Sequence, residues 1–203
     1  MNLDLAQLVA IAAALGWASG LRLYAVVFLT GAAGYLGWIA LPPGLHILQN
    51  PLVLAASFVF FAIEFVADKI PGVDTLWDAL HTVIRIPAGA ALAAGVFGGD
   101  SATWALLAAL MGGTLAATAH AAKATTRAAV NTSPEPLSNI ALSLAGDAAV
   151  PALLWLAWTH PLWFWPALGV AVAVALALIV VLSRFLRGLW RRFAGGGTQE
   201  ARA

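Results

Sequence analysis

The chain has 203 residues, of which 62% are hydrophobic and only 9% are charged, and its formal net charge is +1. Soluble domains average about 45–50% apolar and about 25% charged residues, so this composition indicates a protein whose solvent is a lipid bilayer. The small net charge gives no field that would attract nucleic acid, and the absence of cysteine excludes disulfides, thiol nucleophiles and thiolate metal sites.

Six segments are apolar enough to predict membrane-spanning helices, since one span needs about 20 mostly apolar residues. In chain order they cover residues 5–41, 51–66, 76–97, 103–126, 136–158 and 162–182. The first is too long for one straight span and rich in glycine, which predicts a break or a re-entrant half. We therefore expect an all-α polytopic membrane protein, with a single transmembrane domain over residues 1–193. Residues 194–203 are predicted to form a disordered cytoplasmic tail.

The distribution of lysine and arginine among the loops predicts how the chain is oriented in the membrane. With six spans both termini lie on one side of the membrane, together with Lys69, Lys123, Arg127 and the arginines near the C-terminus. The loops of the other side, residues 42–50, 98–101 and 159–161, contain no lysine or arginine. The positive-inside rule then places both termini in the cytoplasm. The abundance of alanine and tryptophan is typical of a bacterial protein, so we expect the bacterial inner membrane.

Two halves of the chain, residues 5–98 and 102–187, share a pattern. A Pro-Leu pair opens the second segment of each half, and a proline recurs in each third segment, at Pro87 and Pro166. Three spans repeated twice would give two units inverted across the membrane, a plan that transporters use with the site at the repeat interface. The alternative is that Pro-Leu pairs and small-residue runs recur by chance in alanine-rich membrane sequence.

Polar residues in these segments recur three or four positions apart, which puts them on single helix faces. The resulting stripes are Glu64 and Asp68; Asp74, Asp78, His81 and Arg85; His120, Lys123, Arg127 and Asn131; and Asn139, Ser143 and Asp147. Arg22 stands alone within an apolar run. A charge facing lipid costs about 2.5–3.5 kcal/mol at the helix centre on translocon scales. We therefore expect these side chains to face inward and to pair.

These charges have a structural and a functional interpretation. Lys69 and Asp74 flank a Pro-Gly turn, so we interpret them as turn and capping residues. Arg22 either binds an anion or holds Asp147 or Glu64. The functional interpretation is favoured for the residues that recur on inward stripes, which are Glu64, Asp78, His81, Arg85 and His120.

Three stretches carry a family resemblance. They are "ASGLRLYAVVFLTG", "EFVADKIPGVDTLWDALHTVIRIPAGA" and "KATTRAAVNTSPEPLSN", and they resemble a bacterial integral-membrane family catalogued as domain of unknown function 4126. The resemblance spans residues 18–158. It implies one compact membrane domain and brings no assigned activity. The family pattern usually has an acidic pair where this chain has Gly146-Asp147, so Gly146 departs from it and weakens any need for two acids there.

The stripes predict a small transporter or channel-like protein for an ion or a small anionic solute, with a site that opens to the cytoplasm. The basic residues that would hold an anionic group are Arg22, Arg85, Lys123 and Arg127. The residues that would carry a proton or cation are Glu64, Asp68, Asp78, His81 and His120, since proton relays in transporters use such chains. Asn131, Asn139 and Asp147 complete the candidate site. Small-residue pairs such as Gly16 with Gly20 predict close helix packing or a dimer face, and we expect a homodimer.

Two alternatives stay open. Asp74, Asp78 and His81 have the spacing of a divalent-metal site on one helix face. They would suit a membrane-embedded enzyme acting on a lipid or phosphate ester, although nearby cations would compete for the carboxylates. The other alternative is a non-catalytic scaffold whose charges only hold helices together. The sequence contains no GxSxG, HExxH or P-loop motif, so an enzyme is not favoured and no cofactor is expected.

Overall fold

The structure is a computed structural model that describes residues 3–98, 101–132 and 136–196. These residues form six α-helices and one short 3-10 helix, and they contain no strand. The helices are α1 (Leu5–Tyr35), the 3-10 helix (Pro43–Gln49), α2 (Pro51–Ala67), α3 (Val73–Gly95), α4 (Ala102–Val130), α5 (Pro136–Thr159) and α6 (Pro161–Gly196). The predicted all-α class is confirmed.

Each predicted segment coincides with one helix, but fewer helices qualify as membrane spans. Within the described residues, four helices are long and apolar enough to cross a membrane: α1, α4, α5 and α6. The 3-10 helix and α2 would make a fifth span if they act as one segment bent by 69°. Helix α3 does not qualify because its polar stripe lowers its hydropathy. The chain thus has the character of a multi-pass membrane protein, and the predicted count of six spans is not confirmed.

Helix α1 is the centre of the bundle and is broken in its middle. It packs against all five other α-helices, and its residues 10–20 are buried. The helix is interrupted at Arg22, whose φ of −147° and ψ of 79° are not helical. The glycine content predicted a break in this segment. Irregular backbone at membrane depth is tolerated only where protein or a water-filled cavity surrounds it, and the Arg22 side chain is buried.

Glycines allow α1, α3 and α4 to approach closely. A Cβ added at Gly16 would lie 2.5 Å from the Cα of Gly112, and one added at Gly89 would lie 2.7 Å from the Cβ of Ala116. Gly20 also faces Ala116, at its carbonyl oxygen. The Gly16 and Gly20 pair therefore packs within the chain, and this packing brings the break of α1 beside the polar face of α4.

The ends of two predicted segments differ from the structure. Helix α1 ends at Tyr35, and Gly37 follows with a φ of +73°, so the chain turns before the predicted end at residue 41. Helix α6 continues through residues 194–196, which were predicted to begin the disordered tail. Residues 197–203 of that tail lie outside the described residues.

The proposed repeat is matched in its prolines and only partly in its packing, since α1 packs against α3 as α4 packs against α6. Pro51 and Pro136 each begin a helix, and Pro87 and Pro166 each lie inside one. Helix α1 packs closely against α5, whereas no comparable contact joins α4 to α2. The inverted repeat therefore stays a prediction.

Candidate functional site

Inward-facing charges from α1 to α5 form one continuous network of ion pairs. The acidic members are Glu64, Asp68, Asp74, Asp78 and Asp147, and the basic members are Arg22, Lys69, Arg85, Lys123 and Arg127. Five formal negative charges thus face five positive ones. Because the sums are equal, the network can be buried without a net charge, which lowers the desolvation penalty of an apolar interior.

Asp68 is the centre of this network. It forms the C-terminal cap of α2 and is fully buried. Its Oδ2 atom lies 2.7 Å from Nη1 of Arg22 and 2.8 Å from Nζ of Lys123, while Nη2 of Arg127 lies 3.8 Å away. Its Oδ1 atom has no hydrogen-bond partner among the described residues. Asp68 therefore faces three cations with one oxygen and keeps the other oxygen free.

The break in α1 directs Arg22 toward two acids at once. Its Nη2 atom lies 2.7 Å from Oδ1 of Asp147 and donates to the carbonyl and hydroxyl oxygens of Ser143 at 3.0 and 2.9 Å. Lys69 reaches the same acid, with 3.0 Å between its Nζ and Oδ2 of Asp147. Lys123 donates to the carbonyl of Leu21, next to the break, at 3.2 Å. The irregular backbone is thus held by the charges that it positions.

Arg85 forms a second centre on α3. Its guanidinium is fully buried and lies 2.6 Å from Oε1 of Glu64 and 2.6 Å from Oδ1 of Asp78. Lys123 joins the two centres, because its Nζ lies 3.0 Å from the same Asp78 oxygen. Arg85 also lies 3.2 Å from Nδ1 of His120. Arginine can only donate, so Nδ1 of His120 accepts this bond.

The two candidate histidines differ in their surroundings. With Nδ1 accepting, His120 is neutral and donates from Nε2 to the Thr82 hydroxyl at 2.7 Å. His81 lies apart from the ion pairs. Its Nδ1 donates to the Trp77 carbonyl at 2.8 Å, its ring stacks on Trp77, and Nε2 lies 3.1 Å from the Tyr24 hydroxyl. His120 therefore belongs to the network, whereas His81 belongs to an aromatic cluster.

Asp74 ties the start of α3 to the end of α4. Its Oδ1 accepts from the backbone N–H groups of Gly72 and Thr75 at 2.9 and 2.6 Å, but the N-cap position is Gly72 and Asp74 lies inside the first turn of α3. Asn131 donates to the same oxygen at 3.0 Å. Arg127 lies 3.1 Å from Oδ2 of Asp74 and donates a hydrogen bond to Oδ1 of the buried Asn139. These residues link α3, α4 and α5.

The three residues of the metal hypothesis do not converge. Asp74 is engaged by Arg127, Asp78 by Arg85 and Lys123, and His81 by Tyr24. Over residues 3–98, 101–132 and 136–196, no three His, Asp or Glu side chains are grouped so that they could hold a metal ion.

A half-open cavity of about 300 Å³ lies between α1, α4, α5 and α6. Its charged end consists of Arg22, Asp68, Lys123 and Arg127. Most of its remaining wall is apolar and includes Trp17, Leu21, Leu142, Leu153, Val174 and Leu178. Gly146 also lines it, and a Cβ there would lie 3.9 Å from Nε of Arg22. The cavity therefore joins the centre of the ion-pair network to a hydrophobic chamber.

Three residues of the site were not among the sequence candidates. Ser143 accepts from Arg22, and its place on one stripe with Asn139 and Asp147 was a usable signal. Lys69, interpreted as a turn residue, reaches across to α5. Tyr24 bonds to His81 and carries no charge, so no pattern in the sequence identified it.

Comparison with known proteins gives a family and no activity. A family model described as Domain of unknown function (DUF4126) matches residues 9–184, which include the whole ion-pair network. No curated protein and no solved structure matches the chain. The function therefore has to be inferred from the geometry of the site.

Proposed function

The chain belongs to the DUF4126 family, whose description assigns no activity, and we propose from its geometry that it is a small transporter or channel-like protein. The solute is an ion or a small anion. The membrane is the bacterial inner membrane, and both termini lie in the cytoplasm, as the positive-inside pattern predicts. We retain the homodimer and the two inverted three-helix units as predictions.

One observation carries this proposal: the half-open cavity ends on buried charges beside a broken helix. Transporters often place substrate and ion sites at discontinuous helices near the middle of the membrane. A break inside a helix is destabilising unless other interactions compensate for it. Here the break directs the guanidinium of Arg22 toward Asp68 and Asp147, and these two ion pairs provide the compensation. The charged end of the cavity therefore resembles a binding site for an ion or a small anion.

The side chains have distinct proposed roles. Arg22, Lys123 and Arg127 hold an incoming anion, because all three contact one carboxylate that an anion can replace. Asp68 carries a proton on its free oxygen. Glu64, Asp78 and Arg85, with the neutral His120, form a fixed counter-charge behind it.

A second candidate function is a membrane scaffold without transport. The ion pairs favour this function, because every charged side chain of the network has an opposite charge within 4 Å and so can hold helices together without any other role. A metal-dependent enzyme has no comparable support, because Asp74, Asp78 and His81 face separate partners.

A flux measurement tests the proposal. Purified protein is reconstituted into liposomes that contain a pH-sensitive dye, and inward gradients of chloride, phosphate or lactate are applied in turn. The wild type is expected to accelerate entry of at least one anion over protein-free liposomes and to change the internal pH with it. Asp68→Asn is expected to abolish the pH change, because the proton acceptor is lost.

The control is Arg187→Gln, which removes an exposed charge on α6 outside the network and is expected to leave flux unchanged. Folding of each variant is checked by thermal unfolding before reconstitution. The contrary result is folded wild-type protein in liposomes that take up every anion, and protons, no faster than protein-free liposomes. That result would contradict transport and favour the scaffold.

A further inference from the structure

The cavity beside Asp68 has two chemically different ends. Arg22, Lys123 and Arg127 meet at the inner end, and all three side chains are at least nine-tenths buried. The outer walls are hydrophobic side chains of α1, α5 and α6. A volume of about 300 Å³ lies at the lower limit of small-molecule pockets. This shape fits a molecule with one compact anionic group and one apolar chain.

A second, wider cavity of about 740 Å³ continues from the first. The two share Thr126, Leu142 and Leu178, and the second extends along α4, α5 and α6 to Val130 and Phe185. Its described lining is almost entirely apolar. An apolar chain can therefore extend from the charged end toward the surface of the protein without leaving a hydrophobic environment.

Charge balance limits what can bind at the inner end. The network contains five acidic and five basic side chains, so a monoanion that enters leaves one uncompensated negative charge. An uncompensated charge in an apolar interior is strongly unfavourable. The Oδ1 atom of the fully buried Asp68 lacks a partner among the described residues, as do Oε2 of Glu64 and Oδ2 of Asp78, and of these three acids only Asp68 lines the cavity. Oδ1 of Asp68 is the oxygen best placed to accept a compensating proton.

We propose that this cavity binds a single-chain amphiphilic carboxylate and that each carboxylate binds together with one proton, which Asp68 accepts. The inference deepens the proposed transport function and rests on it. The carboxylate of the ligand takes the place of the Asp68 charge opposite Arg22, Lys123 and Arg127. The proton forms an O–H bond on Asp68, so the network stays neutral when the site is filled.

The groups around Asp68 support this assignment. Arg22 faces it from α1, and Lys123 and Arg127 face it from α4. The other acids nearby are each held by a cation: Asp74 by Arg127, Asp78 by Arg85 and Lys123, Glu64 by Arg85, and Asp147 by Lys69 and Arg22. The described part of α6 contributes only apolar side chains to the cavity. Asp78 keeps Arg85 and Asp147 keeps Lys69 when a carboxylate arrives, whereas every cation that faces Asp68 or Asp74 then also faces the ligand; of these two acids only Asp68 lines the cavity.

Calorimetry tests both parts of the proposal. Protein in phosphatidylcholine nanodiscs is titrated with octanoate, with acetate and with 1-octanol, and the heat with empty nanodiscs is subtracted. Octanoate is expected to bind at least about tenfold tighter than acetate, because two buried methylenes already exceed that ratio at a factor of about four each. It is also expected to bind tighter than 1-octanol, which has the chain without the charge. Repeating the titration in buffers of different ionisation enthalpy gives the protons taken up, expected to be about one per octanoate by charge balance.

Three variants separate the parts of the proposal. Ala149→Phe fills the apolar chamber without changing a charge and is expected to abolish octanoate binding. Ala148→Phe, on the neighbouring exposed position, is the matched control and is expected to bind normally. Asp68→Asn is expected to take up no proton. If that variant does not fold, the charge-balanced pair Asp68→Asn with Lys123→Met replaces it. This pair is neutral and lacks both the proton acceptor and one of the three cations, so it is expected to bind octanoate more weakly and without proton uptake.

The amphiphile assignment and the role of Asp68 are overturned by different results. Octanoate that binds no tighter than acetate or 1-octanol, or that binds equally to Ala149→Phe, overturns the amphiphile assignment. An unchanged proton uptake in the Asp68 variants overturns the role of Asp68, since the ligand would then carry the proton itself. Flux of lactate or chloride in wild-type liposomes can persist in either case, so the proposed transport function is tested separately.

Discussion

Replacing Arg85 by methionine removes the cation that is shared by two buried acids. Arg85 is fully buried, and its guanidinium lies 2.6 Å from both Glu64 and Asp78. Methionine retains most of the side-chain length and no charge. The substitution leaves Lys123 as the remaining cation close to Asp78, and it leaves Glu64 without a side-chain cation.

Breaking a buried ion pair from one side typically destabilises a protein by about 3–5 kcal/mol, because the remaining charge is left uncompensated. At about 2–4 °C per kcal/mol for a chain of this size, the expected loss in Tm is about 6–20 °C. Adding Glu64→Gln restores the balance of four acids and four bases. The Arg85→Met/Glu64→Gln double variant is therefore expected to recover most of the loss.

Thermal unfolding of the purified protein in one detergent measures these differences. Arg187→Met is the matched control, since Arg187 is exposed on α6 and bonds only within its own helix. It is expected to change Tm by less than about 2 °C, as surface substitutions usually do. A double variant no more stable than Arg85→Met alone would refute the reasoning that charge balance stabilises the network.

Three further predictions concern helix packing, the first turn of α3 and metal binding. Gly16→Leu should destabilise the protein by about 1–3 kcal/mol or more, because the larger side chain pushes α1 away from α4. Gly169→Leu is the control, since Gly169 faces open space, and it should not destabilise the protein. Thermal unfolding compares the two variants. Asp74→Ala should lower stability by at least about 0.5–1.5 kcal/mol for each hydrogen bond lost in the first turn of α3, and hydrogen exchange should show faster opening at the start of α3. Chelators and added divalent cations should leave Tm unchanged, because the carboxylates of Asp74 and Asp78 are already engaged by arginine and lysine.

The positions of the helices and the sharing of faces could be predicted from the sequence. Hydropathy located all six helices, because apolar runs in a bilayer protein must satisfy their backbone groups internally. Helical spacing predicted that Asp78 and Arg85 share a face, and they form a direct ion pair. Spacing also predicted inward pairing for the other stripes, since lipid cannot solvate the charges.

The identity of the partners could not be predicted in the same way. Arg22 was expected to hold Asp147 or Glu64; it pairs with Asp147 and with Asp68, and it reaches only the backbone carbonyl of Glu64. That choice depends on the direction that the break gives to its side chain. His81 lies between Asp78 and Arg85 along α3 and still faces Tyr24, because its spacing of three residues rotates it by about 60° around the helix from Asp78. Spacing defines a face, and only the packing of neighbouring helices determines what that face meets.

The central claim is that the ion-pair network and its cavity form a transport site. Simultaneous recording of anion entry and internal pH in proteoliposomes tests it most directly. The account predicts that folded wild-type protein moves an anion together with a proton, and that Asp68→Asn loses the proton movement while remaining folded. Folded wild-type protein that moves neither anions nor protons above the rate of protein-free liposomes would contradict it.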